Sequence, residues 1–351
     1  MTPETGRAAA PLRFHQAVSF LPTRQAVPLA KASNELGYAG MYVSDHLFNP
    51  RRLSSRYTYS DRADGHPGWE PETPWPDPMT LIAGMATVAE DLLFTTGVYI
   101  APARDLVTVA KSVATAAVIS DNRVRLGVGV GWCKEEFDQT GQDFATRGKR
   151  LDEMILALRA LWHDGWVEFH GEYYDVPACQ MLPAPTEAIP IIGGGHSPVA
   201  LRALWREGWV EFHGEYYDVP PCQMLPAPSE PVPIIGGGHS PVALRRTAAL
   251  CDGWVAAGAY SEDDAWLHLE ELKDALKKAG RQDEAGFAIY MSMSERPSVE
   301  LYQRFAEAGV TDIVCAPWMF VDVAAGTPDG EALSARLDAV RWFADEIIAK
   351  V

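Results

Sequence analysis

Residues 158–200 recur almost verbatim as residues 201–243, and no other feature of the chain limits its possible folds so sharply. The two copies, each 43 residues long, differ at six positions: His163/Arg206, Asp164/Glu207, Ala178/Pro221, Thr186/Ser229, Ala188/Pro231 and Ile189/Val232. Solenoids stack three or more repeats that drift apart in sequence, so one near-identical pair in mid-chain reads as a recent tandem duplication. Removing one copy from the 351 residues leaves 308, still enough for a single large α/β domain.

Outside the repeat the chain alternates between two periods. Apolar runs with the character of buried parallel strands occur at Phe14–Phe20, Gly40–Ser44, Leu93–Ile100, Val124–Val130, Gly253–Ala257, Phe287–Ser292 and Thr311–Ala316. Helical periodicity marks Val27–Leu36, Met79–Ala89, Leu106–Ile119, Leu151–Leu161, Asp263–Lys278 and Val299–Ala308. Asp77 before Pro78, and Ser261 with Asp264, are helix-start signals. One strand from the repeat, Ile189–Ile192 or Val232–Ile235, brings the count to the eight of a TIM (β/α)8 barrel, whereas both would give nine. The expectation is one barrel domain over residues 1–351, with one copy outside the barrel. The helix Leu151–Trp162 meets the first copy, but only the second leads into Pro241–Leu250 and Asp252-Gly253-Trp254. Val232–Ile235 is therefore expected to be the barrel strand, the first copy looping out as a duplicated hairpin, strand and loop before strand 6.

Leu47–Pro76, rich in Pro, Arg, Tyr and Trp, is far longer than an ordinary βα loop and follows strand 2 at the catalytic face, which makes it a lid. Trp166–Val176, with its turn at Phe169–Tyr173, reads as a β-hairpin, and Trp209–Val219 is its twin. A net charge of −17 repels nucleic acid and anionic membranes. The start lacks the apolar core of a signal peptide, and no run approaches a membrane span. The five cysteines form no C-x-x-C pair, which fits reduced thiols and a cytoplasmic protein with no structural metal.

Three constellations carry chemistry. Gly236-Gly237-Gly238-His239-Ser240-Pro241, running on to Arg245 and Arg246, ends a strand and opens a capped helix, an arrangement suited to phosphate and equally known in ordinary capped turns. The first copy lacks the second arginine. Gly127-Val128-Gly129-Val130-Gly131-Trp132 fails the dinucleotide pattern at its sixth position. Its alternating glycines either clear room for a flat ring at the barrel mouth or serve close packing. Asp45 and His46 stand at the end of strand 2, where barrels place working groups; a capping Asp and a packed His are the plainer alternative. No H-E-x-x-H or G-x-S-x-G occurs, so zinc and serine hydrolase chemistry is unsupported.

Taken in order, Glu35–Tyr38 with Val43–His46, Glu72–Trp75, Thr96–Pro102, Arg125–Trp132 with Lys134–Phe137, Gly237–Pro241 with Ala243–Arg246, and Asp252–Trp254 resemble the bacterial luciferase-like monooxygenase superfamily. Within it the resemblance is to oxidoreductases that use the deazaflavin coenzyme F420, and it covers nearly the whole chain apart from one 43-residue copy. It implies a TIM barrel with F420, or alternatively FMN, at the carboxyl ends of the strands. Asp45 and His46 would then lie beside the ring, with His46 catalytic. Gly97-Val98 would carry a non-proline cis peptide, Gly129, Gly131 and Trp132 would border the ring, and Gly237, Gly238, His239, Ser240 and Arg245 would hold the phosphate. The implied reaction is hydride transfer between reduced cofactor and a small organic substrate, in a homodimer. The alternatives are an FMN-dependent monooxygenase and a non-catalytic binder or decayed enzyme. Sugar-phosphate dehydrogenases of the superfamily have an acidic residue where this chain has Trp132, so that activity is not carried over.

Overall fold

The computed structural model describes residues 11–57, 62, 64–163, 165–193, 234–256, 258–282, 284, 286–324 and 326–351, together with the backbone of 209–213 and 218–223. Its centre is one parallel sheet that nearly closes into a barrel. The strands are β1 (Arg13–Ala17), β2 (Gly40–Val43), β3 (Leu93–Thr96), β4 (Val124–Val128), β7 (Ile191–Gly193), β10 (Ile235–Gly237), β11 (Gly253–Val255), β12 (Ala288–Ser292) and β13 (Asp312–Cys315). Around the sheet the order is β10-β11-β12-β13-β1-β2-β3-β4-β7. Chain neighbours are thus sheet neighbours, and β13 returns to pair with β1, Phe14 opposite Ile313.

Helices pack outside: α1 (Ala26–Glu35), α2 (Pro78–Ala86), α3 (Leu106–Ile119), α4 (Lys134–Thr140), α5 (Arg147–Leu161), α6 (Pro241–Leu250), α7 (Glu262–Lys278), α8 (Val299–Glu307) and α9 (Asp329–Glu346). The start signals work as expected. Asp77 accepts from Thr80 N–H with Pro78 in the first turn, and Ser261 accepts from Asp264 N–H. Side chains alternate across the strands. Phe14 meets Tyr302 of α8 and Phe343 of α9, each with centroids 5.5 Å apart, while its neighbour His15 holds Asp312 Oδ1 at 2.8 Å.

Most observed strands are shorter than the apolar runs at their carboxyl ends, because those residues leave the ladder to build the mouth. β3 stops at Thr96 and β4 at Val128. A larger correction concerns the repeat. β7, from the first copy, pairs with β4, and β10, from the second, pairs with β11. The expectation that one copy's strand lies outside the barrel does not hold, and neither does the exclusion of nine strands. The sheet admits the ninth because it is not fully hydrogen-bonded: β7 and β10 end the order and share no ladder. Each copy serves the junction nearest to it in the chain. The predicted strand Val232–Ile235 is observed as Ile235–Gly237, and 232–233 lie outside the described residues, as does the rest of the first copy's glycine loop beyond Gly193.

Both copies also form the expected hairpin, β5 (Val167–His170) with β6 (Asp175–Cys179) and β8 (Trp209–His213) with β9 (Asp218–Gln223). No helix among the described residues is long and apolar enough to cross a membrane.

Candidate active site

All strands of the sheet are parallel, so the segments that follow β2, β3, β4 and β10 emerge at one face. Beyond β2 the chain gives Ser44, Asp45 and His46. The Ser19 and Ser44 hydroxyls lie 2.7 Å apart, and Ser44 also donates to Gly97 O at 3.3 Å, tying together the exits of β1, β2 and β3.

Asp45 is tied to the loop that follows β3. Its side chain is fully buried and forms a two-pronged pair with Arg104, Nη1 to Oδ2 at 2.7 Å and Nη2 to Oδ1 at 2.8 Å, while Ile100 N–H donates to Oδ2 at 2.8 Å. Burial pulls the Arg104 guanidinium downward, and hydrogen bonding and charge from Asp45 more than offset it, so its pKa is raised. Asp45 therefore anchors the loop after β3.

That loop carries the expected cis peptide between Gly97 and Val98, and the Val98 side chain stands 41% exposed. The glycines after β4 serve the loop. A Cβ on Gly129 would lie 2.4 Å from Val98 Cγ2, and one on Gly131, whose φ is +76°, would lie 2.7 Å from Ile100 Cγ2. Both glycines thus allow the β4 exit to pack closely on the loop after β3.

His46 occupies an aromatic sleeve. Its ring centroid lies 4.9 Å from Trp75, 5.2 Å from Trp69 and 5.6 Å from Trp132. Tyr57 and Phe20 extend the cluster, at 4.9 Å from Trp132 and 5.4 Å from Trp75 respectively. The segment expected to be a lid thus lays Tyr57, Trp69 and Trp75 over His46 and Trp132. Two consecutive acids of α4 secure this roof. Glu135 accepts from the backbone N–H and the hydroxyl of both Ser54 and Ser55, at 2.6–3.1 Å. Desolvation alone would raise its carboxyl pKa, but these bonds hold it well below the usual carboxylate range. Glu136, with no exposed side-chain surface, places Oε1 3.0 Å from His46 Nδ1 and accepts from Leu47 N–H at 2.7 Å through the same oxygen. Burial pushes the neighbouring Cys133 thiol up to about 12, which leaves it inert near neutral pH.

After β10, Ser240 caps α6 by accepting from Ala243 N–H at 3.2 Å, Pro241 fills the first turn, and Gly238 has φ +96°. The positive end of α6 and loop donors without side chains at 237 and 238 suit a phosphate. His239 lies beside this loop with Nδ1 3.1 Å from the Tyr260 hydroxyl, its ring stacked on His268 at 4.9 Å. Arg245 is exposed and makes no ion pair with a described residue.

Sequence reasoning missed Arg104, Glu136, Tyr260 and His268 as members of this face. Glu136 stood within a motif already singled out, and a buried acid one turn into a helix beside the β4 exit was its only signal. The others come from loops and helices far away in the chain.

A parallel barrel with a roofed histidine and a helix-capped glycine loop at its carboxyl face has the architecture of a ligand-binding α/β-barrel enzyme. The chain belongs to the luciferase-like monooxygenase family, whose model matches residues 8–203 and 199–312, the two segments meeting where the first copy gives way to the second. It is 31% identical over 340 residues to an uncharacterized protein of Mycobacterium tuberculosis, covering 97% of this chain and all of that one. It is also 32% identical over 126 residues to pyrimidine monooxygenase RutA of Klebsiella pneumoniae, about a third of each (34%). Among solved structures, an F420-dependent secondary alcohol dehydrogenase in complex with an F420-acetone adduct superposes with a TM-score of 0.60 at 13% identity, over 97% of this chain and all of that one. Monooxygenase RslO1 from Streptomyces bottropensis gives 0.58 at 14% identity, over 96% and 99%. At those identities the two structures speak for the fold.

Proposed function

We propose that this chain is an F420-dependent oxidoreductase that transfers hydride between the reduced deazaflavin and a small organic substrate. The observation that carries the reading is His46, a single imidazole roofed by tryptophans at the same barrel face as an apolar Val98 and a helix-capped glycine loop. The residues present fit such a cofactor. The Gly237–Ser240 loop offers backbone donors and the positive end of α6 to its phosphate, and Val98 offers an apolar support to a flat ring. When bound, the deazaflavin supplies the hydride. The chain's own residues do the rest: Asp45 and Arg104 fix the loop that carries Val98, the Trp69 and Trp75 roof excludes water, and His46 holds or delivers a proton at Nε2. The free thiols found among the described residues and the acidic charge suit the cytoplasm, and a homodimer fits the family.

The alternative is an FMN-dependent monooxygenase; the sequence similarity to RutA, a pyrimidine monooxygenase, favours the monooxygenase part of that reading. Equilibrium titration of the purified apoprotein with F420 and with FMN, side by side, separates the two. Saturable binding of F420 without FMN is expected, and stoichiometric FMN binding without F420 would overturn the proposal. Binding of F420 with no turnover across a panel of enones, imines and alcohols would identify a binder in place of an enzyme. His46→Ala is expected to lower turnover by about 10²-fold.

A further inference from the structure

We infer that Glu136 is the positioning residue of His46, fixing the imidazole with its proton on Nδ1 and turning a bare Nε2 toward the reacting centre. The inference rests on the reading above only in placing that centre beside His46.

Glu136 is costly to the fold. Its side chain has no exposed surface, and Oε2 has no hydrogen-bond partner among the described residues, so half of the carboxylate lies buried without one there. Burying such a group destabilises a protein by more than its paired oxygen returns, and the usual reason for keeping one is a task at a site. What Glu136 touches identifies the task. Both of its bonds go to consecutive residues at the exit of β2, His46 and Leu47, and both run through Oε1.

The geometry selects one tautomer. Leu47 N–H donates to Oε1, so that oxygen is an acceptor. An ionised carboxylate can only accept, so the shared proton belongs on the ring. His46 Nδ1 therefore donates and Glu136 Oε1 accepts. In a neutral imidazole the other nitrogen then has no proton, and Nε2 makes no hydrogen bond to a described residue. Nε2 is left as the one ring atom free to accept or return a proton. The aromatic sleeve makes no hydrogen bond to either ring nitrogen: the indole N–H groups of Trp69 and Trp75 are buried without a hydrogen-bond partner among the described residues, and both rings meet His46 through ring contacts. The occupant of this aromatic cage is His46 itself, and Glu136 sets which of its edges works.

The test is long-range ¹⁵N–¹H spectroscopy on the full chain labelled with ¹⁵N-histidine, His46 being assigned by the signal that disappears in His46→Gln. The wild type is expected to show neutral His46 protonated at Nδ1. Glu136→Gln keeps an amide oxygen for both donors and is expected to keep that form, whereas Glu136→Leu removes the acceptor and is expected to move the proton to Nε2. With a substrate in hand, Glu136→Leu is expected to lower kcat by about 10²-fold with KM little changed, as loss of a proton-transfer geometry does. A wild-type His46 that is neutral with its proton on Nε2, or a Glu136→Leu variant that keeps the proton on Nδ1, would overturn the assignment. If Glu136→Leu does not fold, the wild-type spectrum still decides. A protein that binds neither F420 nor FMN would sink the proposed function while leaving the tautomer result standing, so the two failures are distinguishable.

Discussion

The hairpins of the two copies pair in one register, whereas the strands that follow them take different partners. In the first copy Phe169 faces Val176 and His170 faces Asp175; in the second Phe212 faces Val219 and His213 faces Asp218, the equivalent pairs. Past the hairpins the likeness ends. Ile191 stands opposite Leu126 of β4, while Ile235 stands opposite Gly253 of β11. Even the paired residues shift: the first copy uses Ile191–Gly193, and the second uses Ile235–Gly237, one step further along the repeat. Hairpin pairing is settled among about ten residues that are nearly identical in both copies. Strand pairing is settled by which neighbour the chain can reach, and near-identical sequences reach different neighbours.

The largest test of that contrast is a charge in each strand. Ile191 and Ile235 are both 4% exposed, so Ile191→Asp and Ile235→Asp should each cost about 4 kcal/mol in chemical denaturation, a buried unpaired carboxylate being among the most damaging changes. A silent Ile191→Asp would mean that the first copy does not serve the sheet.

Deleting one copy comes next. Removing 158–200 or 201–243 leaves chains that differ at only six positions, and each should fold with its single strand bridging β4 and β11. Closing that seam adds a few ladder bonds, so both deletions should raise Tm by roughly 5 °C in thermal scans. If only one of the two folds, then the six differing residues, and not chain position, decide the pairing.

A smaller effect separates the hairpins by their anchors. Glu153 of α5 accepts the backbone N–H groups of Glu172, Tyr173 and Tyr174 at 2.7–3.0 Å, and it lies upstream of the repeat, so the second copy has no equivalent acid. Glu153→Ala should destabilise the protein by about 1–2 kcal/mol and speed hydrogen exchange at 172–174 only.

The smallest effect is a titration. The Asp175 hydrogen bond raises the His170 pKa at an exposed site. A raised folded-state pKa gives stability that is fully present below the ordinary histidine value and lost as pH rises through the raised one. NMR titration should therefore show the first hairpin loosening slightly on the alkaline side of neutral pH. A His170 curve that stays at the ordinary histidine value would show that the Asp175 bond does not hold.

Much of the rest was legible. Alternation of strand and helix, the Asp77 and Ser261 starts, the lid, both hairpins and the cis peptide at Gly97-Val98 all follow from local pattern or from resemblance, and the structure has them. At the site the sequence put His46, Trp132 and Gly237–Ser240 at one face, but it did not reveal the contacts that Asp45 and the glycines at 129 and 131 make. Nothing local to Asp45 reveals Arg104, 59 residues on, which pairs with both its oxygens. Nothing local to Gly129 reveals the Val98 side chain beside it, which comes from the loop after β3.

What the sequence determined by itself was therefore everything settled within a turn or a hairpin: caps, helix faces, strand positions and the register of each repeated β-ribbon. The tertiary structure alone decided which copy sits beside which strand, that nine strands share the sheet, and that Glu136 meets His46 across 90 residues. The division follows from physics. Local pairing is fixed by side chains and turn geometry over a few residues, whereas strand order and buried ion pairs depend on chain connectivity, and no single segment of sequence contains that information.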